Sequence, residues 1–386
     1  MPLLQLMPWC PIEKKYEVGE ISILPYSGDE EAEGLDEQTI RVANTVLARY
    51  KRLSGNPVSK AALIQYQGHS VLDELSEDEL ENTRECVELA CFSGLAMRSY
   101  FTPFGPYCNT DCFRLFGRGF REEKDFKFLG TMTRRRDGHT GDTRLSLETV
   151  FTVPEHADGI KEVTFDEELL AALVALRESS DPDTWGRWEN AISCFNQANT
   201  DSWTMRYHVE WVLLCSALEH LLEAKSDYRD VAQKLTDAIR PQNVLLACNA
   251  KRNPGNCGDK QLCYEWMREF YRVRGDFAHG KLVTKQPMAW DKPLEHLFLA
   301  SVAFPLLVRS LLADKCSYEL TREDKTQIEA FERFADEDFL NDPPNCRGSG
   351  DSWWSRIQQE AMLDVITEEA VEEIKRRQSQ EKEQPS

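Results

Sequence analysis

The stretch MRYHVEWVLLCSALEHLLEAK, residues 205–225, holds neither glycine nor proline and is mostly apolar. A helix of that composition is too apolar for a surface position and needs partners on several sides. Its neighbours in the chain can supply them. Residues 164–179, 184–199, 228–239, 261–280 and 293–314 each carry apolar residues at helical spacing. Asp166 or Thr164 is placed to cap the first of these, and Pro305 to bend the last. Residues 160–317 are therefore expected to form an all-α bundle.

Residues 1–159 read differently. YEVGEISILP (residues 16–25) and TRLSLETVFTVP (143–154) have strand character, and residues 35–53 have an amphipathic helical pattern. Ser76 with Glu79 three residues on forms a capping box before a long helical run. Between residues 102 and 137 Gly, Phe and Arg mix without a clear period. The expectation is a mixed α/β domain, so the fold class is α+β. Residues 318–386 are expected to form an acidic helical tail, with a surface helix at 321–340, a linker at 341–352, a helix at 353–375 and disorder from 376 on.

With 386 residues, two domains and a tail suit the length. The net charge of -20 excludes a general nucleic-acid coat, and leaves room for local basic sites. Twelve cysteines in no small-domain disulfide pattern, after a start (MPLLQLMPWC) that lacks a basic signal region, suggest a reduced, cytoplasmic chain. No uncharged run reaches the length of a membrane span, so no membrane partner is expected.

The chemistry concentrates in FYRVRGDFAHGK, residues 270–281. On a helix, at about 100° per residue, Arg272 and His279 are nearly eclipsed, and Asp276 shares their side. Arg274 lies about 140° from His279 and approaches it only if the helix ends there, and Gly280 occupies the usual position for an ending. A histidine near a helix C-terminus is favoured in its charged form and titrates near neutrality. An arginine beside it offers planar donors to a phosphate. These are the parts for RNA cleavage by the substrate's own 2′-hydroxyl, with the histidine moving a proton and the arginine stabilising the phosphorane. A solvated polar helix face with a histidine near its cap fits the same spacing.

This segment resembles the HEPN superfamily, whose mark is an arginine, four to six residues, then a histidine. Arg274 to His279 fits with four between, and Arg272 to His279 with six. The tyrosine, arginine pair and terminal His-Gly resemble the Apea-like HEPN branch more specifically, as does the upstream EWVLLCSALEHLLE, where Glu219 matches that branch's glutamate. The likeness spans residues 166–312. It implies a helical bundle, often dimeric, with the motifs of two copies meeting in one cleft. It also implies an endoribonuclease of antiviral defence, abortive infection or a toxin-type system, without a cofactor, in which Arg274 and His279 are catalytic, Arg272 assists, and Asp276 and Glu219 support. Other members bind RNA or assemble proteins without catalysis. Where many catalytic members carry a polar residue after the motif arginine, this chain has Gly275. Residues 1–159 lie outside the likeness and, lacking a recognisable catalytic motif, are expected to act as a sensor or restraint answering a protein or nucleic-acid trigger.

Further candidates keep two readings each. Glu219 is either a surface carboxylate or a buried partner of Arg274 or Arg272. Lys281, Lys251 and Arg252, with Lys260, either contact RNA phosphates or belong to a solvated loop. Arg134 to Arg136 form a basic island or a solvated turn. Cys108 and Cys112, three residues apart, either begin a zinc site that needs two more ligands or are separate thiols.

Overall fold

The computed structural model describes residues 2–28, 35–101, 107–120, 129–134, 136–137, 140–145, 149–154, 157–202, 204–225, 227–255, 257–278, 280, 288–316, 318–340 and 353–383. The chain divides into two compact units. A mixed α/β unit comes first, and a largely helical unit follows, in agreement with the α+β reading.

The first unit is built on a seven-stranded antiparallel sheet. Its strands are β1 (Leu3–Met7), β2 (Tyr16–Val18), β3 (Ile21–Tyr26), β5 (Ala61–Tyr66), β6 (Phe116–Gly119), β7 (Leu129–Arg134) and β8 (Thr140–Leu145), in the order β2-β3-β5-β1-β6-β7-β8. A short parallel pair joins β4 (Tyr50–Lys51) to β9 (Phe151–Thr152). The YEVGEISILP stretch is therefore a hairpin and not one strand. Gly19 turns it at φ +55°, and Val18 pairs with Ile21.

Helix α1 (Glu37–Leu47) is capped by Asp36, and α2 (Glu77–Ala96) by the Ser76–Glu79 capping box. Helix α3 (Glu167–Ser179) is capped by Asp166, whose carboxylate accepts from Leu169 N at 3.0 Å. Arg177 of α3 reaches Glu20 at 3.0 Å and Glu85 of α2 at 3.2 Å, and donates to Asn82. Those bonds hold α3 in the first unit, which runs to Asp181 and includes residues 199–205. Cys108 Sγ donates to Gly94 O at 3.3 Å and Cys112 Sγ to Asn109 Oδ1 at 3.4 Å. Burial pushes the Cys108 thiol up to about 12. Among the described residues no group of three or more His, Cys, Asp or Glu is arranged to hold a metal ion.

The second unit contains α4 (Pro182–Ala198), α5 (Tyr207–Leu222), α6 (Tyr228–Ile239), α7 (Leu262–Ala278), α8 (Pro293–Lys315), α9 (Arg322–Ala335) and α10 (Trp353–Glu383). Helix α5 packs on α4, α7 and α8, which explains its apolar composition. Phe195 of α4 stacks on Phe304 of α8 at 4.5 Å between ring centroids. Pro305 is accommodated inside α8. By length and composition α8 could cross a membrane, with a mean hydropathy of 1.7, and 78% of that apolar window is buried inside the protein.

Two carboxylates of α9 and one on the residue that caps its C-terminus hold the loop between α6 and α7. Glu329 accepts from Asn243 N at 2.9 Å, Glu332 from Leu245 N at 2.5 Å, and Asp336 from the backbone of Lys251 and Arg252 at 3.0 and 2.8 Å. The 318–386 segment thus packs into the helical unit. Helix α10 also continues past residue 375 to Glu383, where disorder was expected from 376 on. Glu373 bonds Arg377 at 2.8 Å and pairs with Arg376, one turn apart, and such pairs support a solvated helix.

Candidate functional site

Helices α5 and α7 meet along two rows of residues spaced by four. Trp211, Cys215 and Glu219 form the row on α5, and Trp266, Phe270 and Arg274 the row on α7. The apolar ends lock first. The Trp211 indole stacks on Phe270 at 4.8 Å, meets Phe277 edge-on at 5.2 Å, and donates Nε1–H to Phe270 O at 2.9 Å. Trp211 and Phe270 are fully buried. Their packing fixes the register that brings the polar ends of the rows together.

At those ends Arg274 Nη2 lies 3.1 Å from Glu219 Oε2. Tyr271, one turn before Arg274, donates its hydroxyl to Glu219 Oε1 and accepts from Arg274 Nη1 at 3.4 Å. The guanidinium carbon also sits 5.4 Å from the Tyr271 ring centroid. Glu219 is the partner of Arg274 and not a surface carboxylate; its side chain is 16% exposed and that of Arg274 28%. A guanidinium has five N–H donors, so two bonds to Glu219 and Tyr271 orient the plane and leave donors for an anion. Cys215, below Glu219 in the row, is fully buried, and burial pushes its thiol well up, so it stays protonated.

Arg272 and Asp276 are half-buried on α7, about 160° around the helix from Arg274. They share a face with each other and not with the Arg274–Glu219 pair. Helix α7 ends at Ala278, and Gly280 follows at φ +75° with its N–H donating to Phe277 O at 3.0 Å, which is the helix ending the sequence placed there. His279 and Lys281 lie outside the described residues, as does Arg135 of the 134–136 island.

The basic loop candidates are directed elsewhere. Arg252 makes a bidentate bond to Glu295 at 2.6 and 2.9 Å, and also donates to Ala289 O and Glu337 O. Glu295 is fully buried, and a buried carboxylate needs a cation, so the Arg252 guanidinium faces inward. Lys251 is exposed with its Nζ 2.5 Å from Glu337, and Lys260 lies over the Tyr264 ring at 4.4 Å. A cleft of about 160 Å³ opens between α9, α10 and the end of α6, and one of about 410 Å³ between α6 and the start of α7, and neither is lined by Arg274 or Glu219.

Two residues were not read from the sequence as site residues. The Tyr271 ring is buried, and its hydroxyl completes the Glu219 bridge; the signal in the sequence is its position one turn before Arg274. His296 of α8 is fully buried against Trp211 and Phe270, and its Nε2 is 3.1 Å from Glu269. Burial lowers its pKa, with Glu269 pulling the other way, and no RNA could reach it. No protein-family model matches this chain, and neither a curated protein nor a solved structure does.

Proposed function

We propose that the chain is an endoribonuclease of the HEPN type, cleaving RNA to leave 2′,3′-cyclic phosphate and 5′-hydroxyl ends. The observation that carries this reading is Arg274, oriented by Glu219 and Tyr271 in the last turns of α7, five residues before His279. Glu219 reduces the net charge of the site, so Arg274 serves less as bulk attraction for RNA than as an aimed donor for charge that develops on a phosphate. In this reading His279 transfers the proton and Arg274 stabilises the phosphorane, and Arg272 and Asp276, about 160° around α7 from Arg274, have only an assisting and a supporting part. A second copy of the motif supplies the other proton-transfer group, which makes the working species a homodimer or higher homo-oligomer. The N-terminal α/β unit acts as sensor or restraint, and the setting is antiviral defence or a toxin-type system in the cytoplasm.

A second reading has one observation behind it. Gly275 places no side chain beside Arg274, where many catalytic members of the family it resembles carry a polar one. In that reading the arginines bind RNA phosphate or an acidic partner without turnover. End-mapping of mixed RNA incubated with the protein in EDTA separates the two. Cyclic-phosphate ends support the nuclease, and intact RNA retained in a salt-sensitive complex supports the binding module.

A further inference from the structure

Aromatic side chains of α5 and α7 meet at the surface where α7 ends. Tyr207 opens α5 and is 36% exposed, and His208 beside it and Phe277 of α7 are half-buried. Tyr207 meets Phe277 edge-on at 5.8 Å and His208 at 5.8 Å, and the His208 and Phe277 rings lie 6.3 Å apart. Phe277 in turn rests edge-on against the buried Trp211 at 5.2 Å, so the cluster is anchored in the core of the helical unit.

Arginines flank the rings. Arg206, next to Tyr207, is exposed; its side chain does not cap α5 and has no ion pair among the described residues. Arg274 lies on α7 about 60° round from Phe277 and about 4.5 Å back along the axis. Acids are near as well: Glu210 one turn along α5, and Asp276 about 100° from Phe277 on the side away from Arg274. Charge alone therefore draws a polyanion only weakly here, and the rings carry the selectivity. A flat group that stacks on an aromatic ring while its own chain offers phosphates to arginines is an unpaired nucleobase. In a duplex the bases stack on one another and cannot lie on a protein ring. An acidic peptide would engage the arginines but brings no planar group to the rings, and Arg274 already holds Glu219.

We propose that Tyr207, backed by Phe277 and His208, is a platform on which one unpaired base of single-stranded RNA stacks, with Arg206 on the adjoining phosphate. The platform sets the substrate class as unpaired RNA and makes Tyr207 a specificity-determining residue. The proposal rests on the reading that the end of α7 handles RNA, and its test reads binding, not cleavage.

The experiment uses the full-length chain and a labelled 2′-O-methyl oligoribonucleotide of mixed sequence, which has no free 2′-hydroxyl to attack its phosphate. Fluorescence anisotropy compares the single strand with the same strand in a duplex. Wild type is expected to hold the single strand about tenfold tighter. Tyr207→Ala should weaken single-strand binding by about tenfold and leave duplex binding unchanged, at an unchanged circular dichroism spectrum. Tyr207→Phe should bind like wild type, since the ring stacks and the hydroxyl does not. Arg206→Ala should make the slope of log affinity against log salt shallower by about 0.7, and it keeps the test decisive if Tyr207→Ala fails to fold. Equal binding of single strand and duplex, a folded Tyr207→Ala that binds like wild type, or a polyglutamate peptide held through Tyr207 in place of the single strand each overturns the proposal. RNA cleaved by wild type but bound without regard to Tyr207 removes the platform and spares the nuclease. RNA bound through Tyr207 and never cleaved keeps the platform and removes the nuclease.

Discussion

Arg274 and Glu219 are 55 residues apart in the chain, and their side chains meet at 3.1 Å between α7 and α5. The glutamate fixes the plane of the guanidinium. Replacing Glu219 by Gln keeps the shape but removes the charge that aligns Arg274. RNA cleavage is expected to fall by about 10- to 100-fold through misplacement of the donor. Stability is expected to drop by about 1–3 kcal/mol, because a part-buried cation loses its partner. Tyr271→Phe removes one bond of the bridge and should cost about 1 kcal/mol. Denaturant titration and cleavage rates measured on the same preparations check both numbers.

Gly275 leaves room. A Cβ built there meets no atom within 4 Å, and its backbone is not in the left-handed region. Gly275→Asn is therefore expected to fold normally and to gain a few tenths of a kcal/mol, about the difference in helix propensity. If the chain is a nuclease held back by the missing polar side chain, its cleavage rate should rise. An unchanged or lower rate in a folded variant would show that Gly275 does not limit cleavage.

Trp211 sets the register that brings the site together. Trp211→Ala leaves a cavity beside Phe270 and removes the bond to its carbonyl, at a cost of about 3–5 kcal/mol. The thermal midpoint should fall, and cleavage should be lost even below the new midpoint, since Glu219 no longer lines up with Arg274.

His296 gives the fold a dependence on acid. Its folded pKa lies below the ordinary 6.5, first because of burial, and Glu269 and Glu295 offset part of that while Arg252 adds to it. As pH falls below 6.5 the unfolded chain takes up a proton that the folded chain refuses, so stability is full above that value and declines beneath it. His296→Gln should flatten the decline. Unfolding free energies of both proteins between about pH 5 and pH 7 test this, and parallel curves would contradict it.

Much of this arrangement was legible in the residues. The capping box at Ser76, the Asp166 cap and the helical ending at Gly280 are local, and local rules found them. The sheet was harder. β1 is a short apolar run, LLQLM, without alternation, because it is buried between β5 and β6, and period-two reading depends on one wet face. β6, in the sequence FGRG, offers no period at all. The membership of α3 depends on Arg177 finding Glu20 and Glu85, which are distant in sequence. At the site, spacing along α7 placed Arg272 and Asp276 on one face, but that Glu219 chooses Arg274 is a long-range fact. The inward turn of Arg252 has the same cause, since the buried Glu295 that demands it comes 43 residues later.

The most direct test of the central claim compares wild type, His279→Ala and Arg274→Ala on mixed RNA at neutral pH with EDTA present. The account predicts 5′-hydroxyl and 2′,3′-cyclic phosphate ends from wild type. It predicts none above background from His279→Ala, with RNA affinity nearly unchanged because the histidine contributes mainly in the transition state. Arg274→Ala should lose cleavage by about a hundredfold or more. Equal cleavage by wild type and His279→Ala, or no cleavage by wild type in any assembly state, would contradict it.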